Sequence, residues 1–272
     1  MGNKQNSGKS VPIVKKPFVT GSPVDEHTLK NSLLFFGSLL LTSLFSFIVC
    51  ASTGAAGLII RLLINALIII VILSVYFNSG TNQGADAVAR GEILYQKQES
   101  GQTFSQKEKS VSFHKAKGFL VGIFGTLPLL ILALIFAFCT SAALTDAGGL
   151  PSWMQAYTRK SDIGNALVQY LQPEGMSFVD YLRVIVRVCL IPYVNMIGYS
   201  SKEGLLVLER LSPLLIMLPA AAYGTGYLSG RSIRDRIHSV ISVNEKKRRK
   251  RETRKRMERQ RDRSSREPEQ LN

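Results

Sequence analysis

The sequence predicts an all-α integral membrane protein, a bundle of four transmembrane helices with one further helix that is interfacial or re-entrant on the outer side. Three observations predict this class. Apolar residues make up 46% of the 272 residues and are concentrated in a few blocks. Each main block has about twenty residues, enough at about 1.5 Å per residue to cross the hydrocarbon of a bilayer. A basic segment from Lys246 follows the last block, and such clusters beside a span stay on the cytoplasmic side.

Three segments are predicted in the first part of the chain. Residues 1–31 are polar and predict a disordered cytoplasmic N-terminus. Residues 32–77 hold two apolar blocks separated by a very short turn, and they predict a transmembrane helical hairpin. Residues 78–117 are polar and predict a cytoplasmic loop, with an amphipathic helix from Gly84 to Gly101.

The second part of the chain predicts two more spans. Residues 118–144 predict the third transmembrane helix. Residues 145–210 predict an extracytoplasmic region, because their acidic and basic residues balance, and this region contains the apolar segment 178–199. Residues 211–230 predict the fourth transmembrane helix, and residues 231–272 form a basic cytoplasmic tail.

Segment 178–199 decides the number of crossings. Arg183 and Arg187 lie one helical turn apart on one face, and a charge at membrane depth costs about 3 kcal/mol on insertion scales. An interfacial or re-entrant helix would let both arginines reach the head groups. The chain then crosses four times and both termini are cytoplasmic. Five crossings remain the alternative if the N-terminus lies outside.

Arg61 is the one charge inside a main apolar block, and Asn65 follows one turn later on the same face. The simpler interpretation is that the long Arg61 side chain reaches the outer head groups. The sharper interpretation brings Arg61 and Asn65 together with Arg183 and Arg187 around an outer cavity. Such a cavity would bind an anionic ligand or a lipid phosphate, because guanidinium groups suit these anions.

Small residues recur at helical spacing at the start of the third span and at the end of the fourth. Such faces let helix backbones approach closely in membranes. The residues are Gly118, Gly122, Gly125, Ala222, Gly226 and Gly230. Packing within the four-helix bundle is the first interpretation, and homo-oligomerisation is the alternative.

Signatures of enzymes are absent from the sequence. There is no phosphate-binding loop, no HExxH motif and no GxSxG motif. The three histidines and three cysteines lack the spacing of a zinc site. The main apolar blocks contain no Asp, Glu or His, which argues against a proton-coupled pump. The sequence therefore predicts no enzyme, no cofactor and no metal site.

The basic tail is the most distinctive binding candidate. Between Arg231 and Asn272 there are 16 Lys and Arg residues against 7 Asp and Glu residues. The residues expected to act electrostatically are Lys246, Lys247, Arg248, Arg249, Lys250, Arg251, Arg254, Lys255 and Arg256. The tail either only orients the chain, or it also contacts anionic lipid head groups, an acidic protein or ribosomal RNA.

These features predict a multi-pass protein of the cell membrane. The preferred function is a non-enzymatic accessory or scaffold protein whose tail binds anionic lipid or an acidic cytoplasmic partner. One alternative is a transporter or channel component that uses outward-facing arginines. Another is a helper in membrane-protein biogenesis whose tail contacts the ribosome, which analogy alone supports.

Overall fold

The computed structural model of this chain describes residues 14–53, 57–140, 178–198 and 202–264. Within these ranges every regular element is a helix. The seven described helices are α1 (Glu26–Thr53), α2 (Leu58–Glu99), α3 (Gln106–Ser110), α4 (Lys117–Cys139), α5 (Phe178–Cys189), α6 (Ile191–Ile197) and α7 (Lys202–Ser264).

Four of the described helices, α1, α2, α4 and α7, are long and apolar enough to cross a membrane. The predicted all-α architecture with four such helices is therefore confirmed. Helix α1 packs chiefly on α4, α4 packs also on α7, and α7 packs most extensively on α2. The backbones of α1 and α2 make few close contacts, and the two helices meet mainly through side chains such as Thr42 and Tyr76, whose hydroxyl oxygens are 2.9 Å apart. The bundle is thus ordered α1, α4, α7, α2, with a loose seam between its first and last members.

Helices α5 and α6 are built into this bundle. The main hydrophobic core contains Phe136 of α4, Val186 of α5 and Val194 of α6, each with at most 2% of its surface exposed. Helix α5 contacts α1, α4 and α7, while α6 contacts α1, α2 and α7. Both short helices therefore belong to the core packing.

The predicted single helix 178–199 is two helices in the structure. Helix α5 ends at Cys189 and α6 begins at Ile191, with Pro192 in its first turn, where proline is tolerated. Arg183 is only 7% exposed and is turned into the bundle. The sequence predicted that this arginine reaches the head groups, whereas in the structure it faces a buried carboxylate described below.

The N-terminal boundary also differs from the prediction of disorder over residues 1–31. Helix α1 begins at Glu26. The carboxylate of Asp25 accepts the backbone N–H of Thr28 at 2.7 Å, and the Thr28 hydroxyl accepts the N–H of Asp25 at 3.2 Å. This reciprocal cap satisfies donors that a helix start leaves free. Residues 1–13 lie outside the described residues.

Residues 78–99 are helix, where the sequence predicted a loop. Helix α2 continues unbroken from the apolar block to Glu99, so the predicted amphipathic helix is its last part. Thr81 donates a hydrogen bond to the Gly226 carbonyl at 3.1 Å and lies 3.0 Å from the Ser229 hydroxyl. The polar part of α2 packs on α7 through these contacts, and this packing keeps it helical where the hydropathy falls.

Helix α7 likewise joins two predicted segments. It runs through the predicted fourth span, with Pro213 and Pro219 inside it, and continues into the tail as one helix of 63 residues. Helix α4 ends at Cys139, earlier than the predicted residue 144. The described residues do not include 141–177 or 265–272. These ranges hold the end of the predicted third span, most of the predicted outer region and the end of the tail.

The described start of the chain meets α7 beyond its apolar part. The N–H of Val14 donates to the Ser239 hydroxyl at 3.0 Å, and the N–H of Val19 donates to the Gly91 carbonyl at 3.1 Å. Residues 14–25 thereby cross both α2 and α7. We call this side of the bundle the terminal end, because the N-terminal segment and the tail leave the bundle here.

Candidate functional site

A buried carboxylate organises the end of the bundle that lies away from the terminal end. Glu209, near the start of α7, has no exposed surface. Its Oε1 accepts from Arg187 Nε at 3.0 Å and lies 3.3 Å from Arg183 Nε. Its Oε2 accepts from the Thr140 hydroxyl at 2.6 Å. Asp180 adds a second carboxylate, 3.0 Å from Arg183 Nη1.

This cluster is electrically balanced, since two guanidinium groups face two carboxylates. Burying an unpaired charged side chain costs on the order of several kcal/mol, and ion-pair partners offset this cost. Arg183 gains a further contact, because its guanidinium carbon lies 6.0 Å from the centre of the Phe136 ring. Sequence analysis missed Glu209 because it stands just before the predicted fourth span, among residues assigned to the outer region.

A second polar network joins α1, α2 and α6. Asn65 is fully buried, and its Nδ2 donates to the Arg61 carbonyl at 2.7 Å while its Oδ1 accepts from Cys50 Sγ at 3.1 Å. Asn195 Nδ2 donates to the Cys50 carbonyl at 3.2 Å. Gly198 follows α6 with a φ of 87°, and a Cβ there would lie 2.9 Å from Arg61 Nη2. Only glycine suits this backbone beside the guanidinium.

The four residues predicted to form one anion site therefore fall into two groups. Arg61 and Asn65 belong to the α1–α2–α6 network, whereas Arg183 and Arg187 bind Glu209. None of the hydrogen bonds and ion pairs among the described residues joins the two groups. The arrangement stabilises the packing of α5 and α6, and the predicted convergence on one cavity remains a hypothesis.

The terminal end holds two further carboxylates whose side chains are buried, Glu92 and Asp25. Glu92 of α2 lies 2.7 Å from His238 Nε2 and 3.1 Å from Arg234 Nη2, both on α7. Lys117 Nζ lies 2.9 Å from Asp25 Oδ2, with both side chains at most 6% exposed. Burial alone would raise the pKa of Asp25, but hydrogen bonds from Thr28 and Lys117 outweigh burial and lower it. These pairs attach the ends of α1, α2, α4 and α7 to one another.

The predicted small residues lie against other parts of the same chain. A Cβ at Gly226 would collide with the Phe77 carbonyl oxygen, and one at Gly230 would collide with the Ala85 nitrogen. On α4, Gly118 faces the Tyr227 side chain. The other three contact neighbours as follows: Gly122 faces Ala220, Gly125 faces Phe35, and Ala222 packs on the core. These contacts account for the small-residue pattern within one bundle.

The basic tail residues line the exposed end of α7. All nine residues singled out between Lys246 and Arg256 are exposed. Two ion pairs with i, i+4 spacing, at 3.5 Å for Arg248–Glu252 and 3.7 Å for Arg254–Glu258, lie along the helix. Exposed pairs of this kind contribute about 0.5 kcal/mol or less, so most of the positive charge remains available to a partner.

Among the described residues, no group of three or more His, Cys, Asp or Glu side chains is arranged to hold a metal ion. Comparison of the chain with protein-family models, with curated proteins and with solved structures found no match.

Proposed function

We propose that this chain is a multi-pass scaffold protein of the cell membrane whose basic helix recruits an acidic partner on the cytoplasmic side. The observation that carries the proposal is the continuity of α7. One helix of 63 residues leads from the bundle into the tail. A partner that binds the tail would be held at a defined place beside the bundle, as a scaffold requires.

The surface chemistry of the tail favours an acidic macromolecule. Residues 246–263 hold twelve basic residues against three acidic ones, over a helical length of about 27 Å. The apolar side chain in this stretch, Met257, is 63% exposed and isolated. Helices that embed in the membrane surface use a continuous apolar face, which this stretch lacks. A complementary acidic surface would match the distribution of charge around the helix.

The positive-inside tendency of membrane proteins supports the cytoplasmic assignment. The hydrogen bond from Val14 to Ser239 supports four crossings with both termini on that side, because the described N-terminal segment meets the first part of the tail there. The transporter alternative depends on free outer arginines, whereas Glu209 and Asp180 together balance the charges of Arg183 and Arg187. For this reason the scaffold function is preferred.

The proposal is tested by affinity capture of the full chain from mild detergent. In one variant all six residues of 246–251 become Gln; in a matched control each Lys becomes Arg and each Arg becomes Lys. We expect the Gln variant to lose a set of acidic proteins that the control retains. Identical captured sets from all forms contradict the proposal. Unchanged captured proteins with lost binding to vesicles of anionic lipid would instead assign the tail to lipid anchoring.

A further inference from the structure

Two adjoining cavities occupy the seam between α1 and α2. The larger, of about 250 Å³, lies at the terminal end. The smaller, of about 170 Å³, lies further along the two helices toward the apolar blocks. Asn31 and Gln83 line both cavities and are hydrogen-bonded to each other at 3.1 Å. This amide pair lies between the two cavities, which together we call the cleft. The cleft exists because α1 and α2 each pack closely on another helix and meet each other mainly through side chains.

The depth of the cleft corresponds to a membrane surface. Asn31 precedes the apolar part of α1, and Gln83 follows the apolar part of α2 by less than two turns. Lys117 and Tyr227, which also line the larger cavity, stand where α4 and α7 change between apolar and polar sequence. In a chain that spans a bilayer, this is the depth of the lipid head groups.

The larger cavity presents one acid and one base that have no partner among the described residues. They are Asp86 and Arg90, both exposed and one helical turn apart on α2. Their Cβ atoms are therefore separated by about 5–6 Å. A second cationic side chain of the lining, Lys117, is held by Asp25 at 2.9 Å, and His27 adds an imidazole to the wall. The free charges of the cavity thus match a ligand that carries both signs.

Of the two side-chain amides that line both cavities, Asn31 and Gln83, the second has a fixed orientation. Gln83 Oε1 accepts from Asn31 Nδ2 at 3.1 Å and from the Tyr223 hydroxyl at 2.7 Å. These two hydrogen bonds fix the amide orientation, because the oxygen must face both donors. The Gln83 amide nitrogen then has no partner among the described residues and can donate to a ligand.

The smaller cavity has a different character. Leu34 and Val75 line it and are 62% and 53% exposed, so its mouth opens on the apolar flank of the bundle. The Tyr76 hydroxyl in its wall is engaged by Thr42 at 2.9 Å. Phe35 supplies an apolar floor. An acyl chain could lie here with its head in the larger cavity.

We propose that this cleft binds a zwitterionic amphiphile, a lipid with a phosphate and a primary ammonium group. Arg90 binds the phosphate, Asp86 binds the ammonium group, and the acyl chain enters the seam at Leu34 and Val75. Charged hydrogen bonds to both groups orient the head, and the seam selects for an attached chain. The site is independent of the tail, so it stands or falls separately from the scaffold function.

Native mass spectrometry of the full chain in detergent tests this site. The probes are phosphatidylethanolamine, phosphatidylglycerol and soluble glycerophosphoethanolamine. We expect retention of phosphatidylethanolamine over the other two. Asp86→Asn or Arg90→Gln should each weaken that retention by about tenfold or more, as expected for the loss of one charge-assisted contact.

The chain offers a matched control in Glu245 and Arg249, an exposed acid and base with the same spacing on α7. Glu245→Gln and Arg249→Gln should leave lipid retention unchanged. Equal retention of the two lipids, or retention unaffected by both cleft variants, overturns the proposal. Equally tight binding of the soluble head group would also overturn it, by showing that the seam contributes nothing.

Discussion

Glu209 shows how one residue can decide the orientation of others. Its carboxylate has no exposed surface and lies within 3.3 Å of the guanidinium nitrogens of Arg183 and Arg187. Without this acid, the two arginines would be expected at a polar surface. With it, they turn into the bundle, and α5 and α7 are joined by opposite charges in a place of low dielectric.

Replacement of Glu209 should therefore destabilise the bundle strongly. We expect Glu209→Gln to lower the free energy of unfolding by about 3–5 kcal/mol, because Arg187 loses its carboxylate partner and Arg183 keeps only Asp180. Thermal unfolding of the purified protein in detergent, followed by circular dichroism, measures the effect. Glu203→Gln is the matched control, since Glu203 is an exposed acid on the same helix. Equal melting temperatures for the two variants would refute the role of Glu209.

At the scale of elements, the pairing of α2 with α7 determines where both helices end. Gly80 and Gly84 of α2 lie against the backbone of Tyr223 and Tyr227, and Gly226 lies against the Phe77 carbonyl. These contacts bring the two backbones close along consecutive turns. Both helices extend past their apolar blocks as one packed unit, and the Glu92–His238 contact at 2.7 Å closes its far end.

The close contact between Gly226 and the backbone of Phe77 predicts that a larger residue at Gly226 destabilises the protein. Gly226→Ala should cost about 1–3 kcal/mol, because the new methyl group collides with a backbone oxygen. Gly37→Ala is the control, because a Cβ at Gly37 meets nothing within 4 Å. That change should be neutral or should stabilise α1 by up to about 1 kcal/mol through helix propensity. Melting temperatures that shift in the same direction would contradict the α2–α7 packing.

At the scale of the whole molecule, the described N-terminal segment and the first part of the tail share one end of the bundle. Residues 14–25 lie on α2 and α7, and Val14 is hydrogen-bonded to Ser239. Phe18 and Phe113 form an edge-to-face pair with ring centres 5.9 Å apart, which holds residues 14–25 against the segment between α3 and α4. The proposed topology of four crossings requires this arrangement.

A chemical cross-link tests this arrangement. In a background without native cysteines, Val14→Cys with Ser239→Cys should be joined by a short bismaleimide, seen as altered mobility on a denaturing gel. Val14→Cys with Phe178→Cys should remain unjoined, because α5 packs near Glu209 at the other end. Joining of the second pair, or failure of the first, would contradict the shared end.

The sequence alone determined the class of protein and its long helices, because apolar blocks of about twenty residues have few other stable structures. It also identified the small-residue faces of α4 and α7, whose spacing reflects a local helical period. The start of α1 also had a local signal, the capping residues Asp25 and Thr28. The prediction followed the polarity of residues 1–31 and not this signal.

Only the tertiary structure decided the ends of α2 and α7 and the partners of the arginines. The sequence predicted an amphipathic helix from Gly84 to Gly101 but not that it continues the second span without a break, which accompanies packing against α7. Glu209 lies more than twenty residues from Arg187, so no local period connects them. Hydropathy records the solvent that a segment prefers, whereas the pairing of buried charges depends on which helices become neighbours after folding.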